Sequence, residues 1–117
     1  MNIIKNDFVF HNGETEVADG NVLKDPTANQ VALYITGSTD SHTIKFEGSD
    51  SADDDANWYA VYARKAVDNS YAVQTTGEDE CWIVDLTPWV SFKARIDAIA
   101  GDEASLTVIG RVVNTAV

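Results

Sequence analysis

The chain has 117 residues, with 8 Lys plus Arg against 19 Asp plus Glu and a formal net charge of −11. That length fits one domain, which buries roughly two thirds of its unfolded surface on folding, and the charge argues against nucleic acid or an anionic membrane as partner, since both need Lys and Arg to offset their phosphates. Cys81 is the single cysteine, so neither an intramolecular disulfide nor an all-cysteine metal site can form.

Apolar residues make up 44% of the chain and recur at period two, so a core is available despite the acidity. The opening MNIIKNDF lacks an apolar run of signal-peptide length, and no stretch approaches the roughly 18 apolar residues of a membrane span. The expectation is a protein made and kept in the cytoplasm, or carried on a particle assembled there, with secretion by a route without a signal as the alternative.

In chain order, Phe8 and Phe10 share a face ahead of Asn12-Gly13, a strong hairpin signal because both residues tolerate positive φ. Residues 7–18 read as a hairpin, and residues 1–25 as an N-terminal arm or added hairpin ahead of a domain spanning 26–117. Residues 30–36 form a strand with Val31, Leu33 and Ile35 on one face; residues 43–48 form the next, with Ile44 and Phe46 inward. Residues 58–66, 71–76 and 81–86 read as three more strands, the last closed by Pro88, which has no N–H for a ladder. In residues 90–100, Val90, Phe92, Ala94, Ile96, Ala98 and Ala100 point one way. After the Gly101-Asp102-Glu103 turn, Leu106, Val108, Gly110 and Val112 do the same, which reads as a second hairpin with one buried face. About eight to nine short strands at regular spacing, with polar turns between them, make an all-β fold, an antiparallel β-sandwich of jelly-roll or Ig-like type.

The stretch FEGSDSADDDANW holds the densest charge: Asp50, Asp53, Asp54 and Asp55. Calcium takes several carboxylates on a turn that glycine bends, and these four are the calcium candidate, yet the D-x-D-x-D-G spacing and closing glutamate are missing. The plain alternative is a hydrated connection, because like charges are screened beyond about 8 Å at physiological salt. A catalytic pair needs one carboxyl raised by burial, which this polar run does not offer. His11 and His42 lack partners at metal-ligand spacing. Cys81 opens a strand without a nucleophile signature, so it reads as an inert thiol. No phosphate loop or G-x-S-x-G occurs. The chain reads as a non-enzyme without a required cofactor.

The aromatics crowd the middle. Trp58, Tyr59, Trp82 and Trp89 are candidates for ligand stacking, against the alternative that Trp58 and Trp82 are core. Trp89, beside Pro88, is the better candidate for an exposed contact.

Four pieces together resemble the small β-sandwich virion proteins of tailed phages and prophages, of head-decoration, head-fibre or tail-associated type. They are Phe46-Glu47-Gly48-Ser49 with its acidic turn and Trp58, then Trp82-Ile83-Val84-Asp85, then residues 92–101 (FKARIDAIAG), then residues 106–111 (LTVIGR). The resemblance implies a non-enzymatic particle component that assembles by repetition, as a homotrimer, on capsid or tail proteins. Its contacts would come from outward apolar residues: Ile3, Ile4, Phe8, Phe10, Ile109 and Val113. The alternative function is a carbohydrate-binding module for a receptor or cell-wall glycan, using the four aromatics as platforms.

Overall fold

In every long segment, one set of alternate side chains is apolar, and burying that set against a second sheet is the simplest way to take it out of water. A computed structural model describes residues 2–53, 56–77 and 80–116. Ten strands follow in chain order: β1 (Asn2–Glu14), β2 (Leu23–Lys24), β3 (Ala28–Ser38), β4 (Ser41–Ser49), β5 (Tyr59–Ala60), β6 (Ala63–Lys65), β7 (Tyr71–Ala72), β8 (Cys81–Asp85), β9 (Ser91–Ala100) and β10 (Ser105–Ala116). They form a six-stranded sheet ordered β1-β10-β3-β8-β6-β7 and a four-stranded sheet ordered β2-β9-β4-β5. Every pairing between them is antiparallel. The protein is an all-β sandwich, as the alternation implies.

The core fills the space between the sheets. Val31, Leu33, Ile35, Trp82, Val84, Leu106, Val108 and Val112 from the larger sheet meet Ile44, Phe46, Phe92, Ala94 and Ile96 from the smaller. Each large apolar side chain buried this way contributes about 1.5–3 kcal/mol. Phe46 and Trp82 lie tilted with ring centroids 5.3 Å apart. Gly110 makes room for Phe10: a Cβ there would come within 2.5 Å of the phenyl ring. Phe10 in turn meets Phe8 and Phe92 edge-on, at 4.7 and 5.8 Å.

Three sequence expectations change. First, residues 7–18 are not a hairpin. β1 runs straight through Asn12-Gly13 and pairs with β10, with register shifts between Val9 and His11 and between His11 and Glu14. Gly13 takes φ 65° within that irregularity, so the Asn-Gly pair marks a bulged strand end rather than a reversal. Residues 1–25 thus contribute the edge strand β1 and then a segment that crosses to the other sheet. Second, the consecutive strands β9 and β10 do not pair. β9 lies beside β4, and β10 lies between β1 and β3. Both bury one face, and the chain satisfies both by crossing from one sheet to the other at the 101–104 turn. Third, residues 58–66 are two strands in different sheets, because the chain crosses between Ala60 and Ala63.

The smaller sheet has covered margins. On β9, Ala18 bonds Ile96 in both directions, and Leu23 pairs with Phe92. On β4, the Val61 N–H donates to the Phe46 carbonyl, the Phe46 N–H to Val73, and the Thr75 N–H to Ile44. Such caps satisfy backbone groups that would otherwise be left open at a sheet edge.

Candidate functional site

The two outer faces differ in chemistry. On the smaller sheet, Lys45, Glu47, Lys93, Arg95 and Asp97 alternate with the core residues of β4 and β9. They partner one another: Arg95 forks onto Glu47 at 2.8 and 3.3 Å and reaches Asp97 at 2.7 Å. Lys45 lies 3.5 Å from Asp97, and Lys93 lies 3.6 Å from Asp19 and 3.9 Å from Glu47. The hydrogen bond to Glu47 holds the Arg95 guanidinium further above its ordinary value, and the bond from Arg95 holds the Asp97 carboxyl below its own. A charge lattice already closed on itself offers little to a partner.

The aspartate connection folds over the end of this face. The Ser49 carbonyl accepts from Val90, and the Ser51 carbonyl accepts from the Ser91 hydroxyl at 2.9 Å. Asp50 and Asp53 are exposed; Asp54 and Asp55 lie outside the described residues. Among the described residues, no three of His, Cys, Asp and Glu are grouped to hold a metal. Past this connection the half-buried Trp58 carries the Lys93 ammonium 4.3 Å over its ring. A hollow of about 140 Å³ opens there between Asp19, Lys24, Asp53, Trp58 and Lys93.

The aromatic candidates separate. Trp82 is wholly buried, so it is core and cannot be a ligand platform: its position on β8 faces Phe46. Trp89 is not an exposed contact either. The Trp89 N–H bonds the Leu86 carbonyl, and that turn lays the indole on Gly48, where a Cβ would come within 2.6 Å of it. Tyr59 stacks on this indole with ring centroids 6.2 Å apart and is itself 52% exposed.

Among the contact candidates, Phe10 is buried and therefore core, and Phe8 packs half-buried on it. The side chains of Ile3 and Ile4 lie outside the described residues. Ile109 and Val113 are half-buried on the outer face of the larger sheet.

That outer face is aromatic and open. The register places Val9, Ile109 and Tyr34 in one row across β1, β10 and β3, with Cys81 next on β8. Val9 is 42% exposed and Tyr34 47%. Beside this row, Arg111 bonds Asp7 at 3.1 Å. Farther across, Tyr62 and Tyr71 are 69% and 66% exposed beside Arg64, whose guanidinium donates to Asn69 at 2.7 Å. Burial pushes the Cys81 thiol up, with Arg64 opposing, so at neutral pH it stays a protonated and weakly nucleophilic group. Tyr62 is hard to place on this face from the sequence because the chain changes sheets between β5 and β6.

Glu80 holds the strand entry beneath this face. Burial pushes its carboxyl up, but Lys65 at 3.1 Å and the N–H groups of Gly77 and Thr76 more than offset this, leaving it below its ordinary value.

The XepA family model matches residues 4–112. The chain belongs to the XepA family. No curated protein sequence matches it. Two solved structures share its fold. The SPBc2 prophage-derived protein YomS superposes with a TM-score of 0.86 at 23% identity, over 97% of this chain and 96% of that one. The PBSX exported protein XepA superposes with a TM-score of 0.87 at 24% identity, over 96% of this chain but 38% of that one. This sandwich therefore corresponds to one part of the longer XepA chain and to nearly all of YomS. Among the described residues, no helix is long and apolar enough to cross a membrane.

Proposed function

We propose that this chain is a non-enzymatic component of a phage or prophage particle, held in place by protein–protein contacts through the outer face of its larger sheet. Family membership supports the phage setting. The observation that carries the contact role is the row Val9–Ile109–Tyr34, an apolar strip across three strands with exposed ends and a charged pair, Asp7–Arg111, beside it. An apolar centre with an aromatic and a polar border is the composition of contact surfaces. The partners are further copies of the chain, as in the homotrimer implied by the virion resemblance, and capsid or tail proteins. The place of action is then the particle, or the cell exterior if this chain is released as the exported protein XepA is.

The test uses the whole chain. Light scattering on a sizing column at two concentrations reads self-association, and co-sedimentation with purified particles reads attachment. Tyr34→Asp combined with Val9→Asp is expected to abolish whichever association is present while leaving the far-UV circular dichroism intact. A wild-type chain that stays monomeric and does not sediment with particles overturns the reading.

A second reading, glycan recognition, has one specific observation in its favour: a polar hollow edged by two exposed tyrosines on the same sheet, beyond the apolar row.

A further inference from the structure

From that hollow we infer a saccharide subsite at the β6–β7–β8 end of the larger sheet, taking one uncharged sugar ring of a polysaccharide; this rests on the glycan reading and gives it a place. The hollow measures about 230 Å³ and is lined by Gln30, Tyr62, Arg64, Tyr71, Ile83 and Asp85. The sheet register brings them together. Gln30 faces Asp85 across β3 and β8, Ile83 faces Arg64 across β8 and β6, and Arg64 faces Tyr71 across β6 and β7. Tyr62 follows from alternation: Val61 and Ala63 are buried, so Tyr62 and Arg64 point outward together.

Three properties select the ligand. The volume lies below the roughly 300 Å³ at which drug-sized pockets begin, so the hollow suits a single ring. Its floor is the Ile83 side chain and its margins are tyrosine rings, which fit the apolar C–H face of a sugar. Arg64 is engaged with Asn69, and the other polar groups keep capacity to bind. Asp85 Oδ1 accepts from the Thr87 N–H at 2.9 Å. Among the described residues, Asp85 Oδ2, the Gln30 amide and both tyrosine hydroxyls have no side-chain hydrogen bond. A carboxylate accepts from hydroxyls, while an amide both donates and accepts, which is the pattern that adjacent sugar hydroxyls require. The net charge of −11 disfavours an anionic polymer and leaves neutral sugars favoured.

The pattern differs from the sequence expectation, which placed the platforms at Trp58, Tyr59, Trp82 and Trp89. That difference allows a discriminating test. Glucose, galactose, mannose and N-acetylglucosamine, each as monomer and as short oligomer, are titrated into the millimolar range against the labelled full chain, following backbone amide shifts. Binding to at least one sugar is expected, with shifts centred on residues 62–64, 71 and 83–85. Tyr62→Ala and Tyr71→Ala are each expected to weaken it about tenfold, as loss of an aromatic contact does. Asp85→Asn is expected to weaken it further, while Trp58→Ala leaves it unchanged. Tyr62, Tyr71 and Asp85 are exposed and Trp58 is half-buried, so the fold survives and the melting temperature checks this. Sugar binding that ignores the tyrosine and Asp85 substitutions but falls in Trp58→Ala keeps the glycan reading and overturns the subsite. No shifts with any sugar overturn both.

Discussion

His11 Nε2 donates to the Ala94 carbonyl at 2.5 Å, joining β1 of the larger sheet to β9 of the smaller across 83 residues of sequence. A carbonyl only accepts, so this nitrogen carries the proton. The carbonyl needs it. Ala94 lies between the Ala18–Ile96 bridge and the Leu23–Phe92 pair, in the gap where the margin of β9 has no strand. A side chain reaching from the opposite sheet takes the place of a missing ladder bond.

Removing this bond should be costly. His11→Ala leaves a buried carbonyl without a partner and opens a cavity where the ring stood; together these are expected to destabilise by about 2–4 kcal/mol. Gly20→Ala attacks the same point from the other side. Gly20 has φ 73°, and a Cβ there would lie 2.5 Å from the Phe10 carbonyl and 2.4 Å from the imidazole. It should destabilise by a similar amount, and the double variant by less than the sum, because both act on one contact. Urea denaturation of the four proteins checks this.

The tryptophans are expected to behave as three different environments. Trp82→Ala should cost about 3–5 kcal/mol, since it empties the centre of the core. A chain carrying Trp58→Phe and Trp89→Phe keeps only Trp82. Its fluorescence should be blue-shifted and insensitive to iodide until the protein unfolds. Quenching of the native double variant by iodide would place Trp82 at the surface and contradict the packing on Phe46.

Glu80 should give the acid limb of stability a distinct component. Its folded value is depressed, so its contribution is complete above its ordinary value of 4.5 and is lost as pH falls through the lower folded value. Glu80→Gln removes the charge that Lys65 and two backbone N–H groups bind, and is expected to destabilise by about 2–3 kcal/mol at neutral pH. The gap between wild type and variant should then narrow as pH drops below 4.5. A gap of constant size from neutral to acid pH would show that the charge of Glu80 is not what matters.

How far the sequence could be read depends on what alternation carries. It carries faces. Val31, Leu33 and Ile35, Ile44 and Phe46, and Phe92, Ala94 and Ile96 are inward by spacing alone and are buried, whereas Ala98 and Ala100, on the same face by spacing, are exposed because the register shifts opposite Thr43 and Ile44. It does not carry partners. β9 and β10 each show one apolar face whether they pair with each other or lie in opposite sheets, so the expected hairpin and the observed crossing look alike in sequence. Asn12-Gly13 misled because a glycine at positive φ serves a bulge as well as a turn. The tyrosine face stayed hidden because counting by twos from Trp58 fails where the chain changes sheets, between Ala60 and Ala63. Trp89 looked exposed beside Pro88, and only the missing Cβ of Gly48, a neighbour in space, accounts for its burial.

The first and last strands are neighbours, with Asn2 opposite Ala116. The two ends of the fold therefore leave it side by side, at one corner of the larger sheet. A unit built this way can be set into a longer polypeptide through a single point of attachment, like a bead tied at one knot, without parting any strand from its partner. The same geometry allows the ends to be joined by a short linker and the chain reopened elsewhere. One sandwich can thus serve as a whole protein in one setting and as an interchangeable module in another.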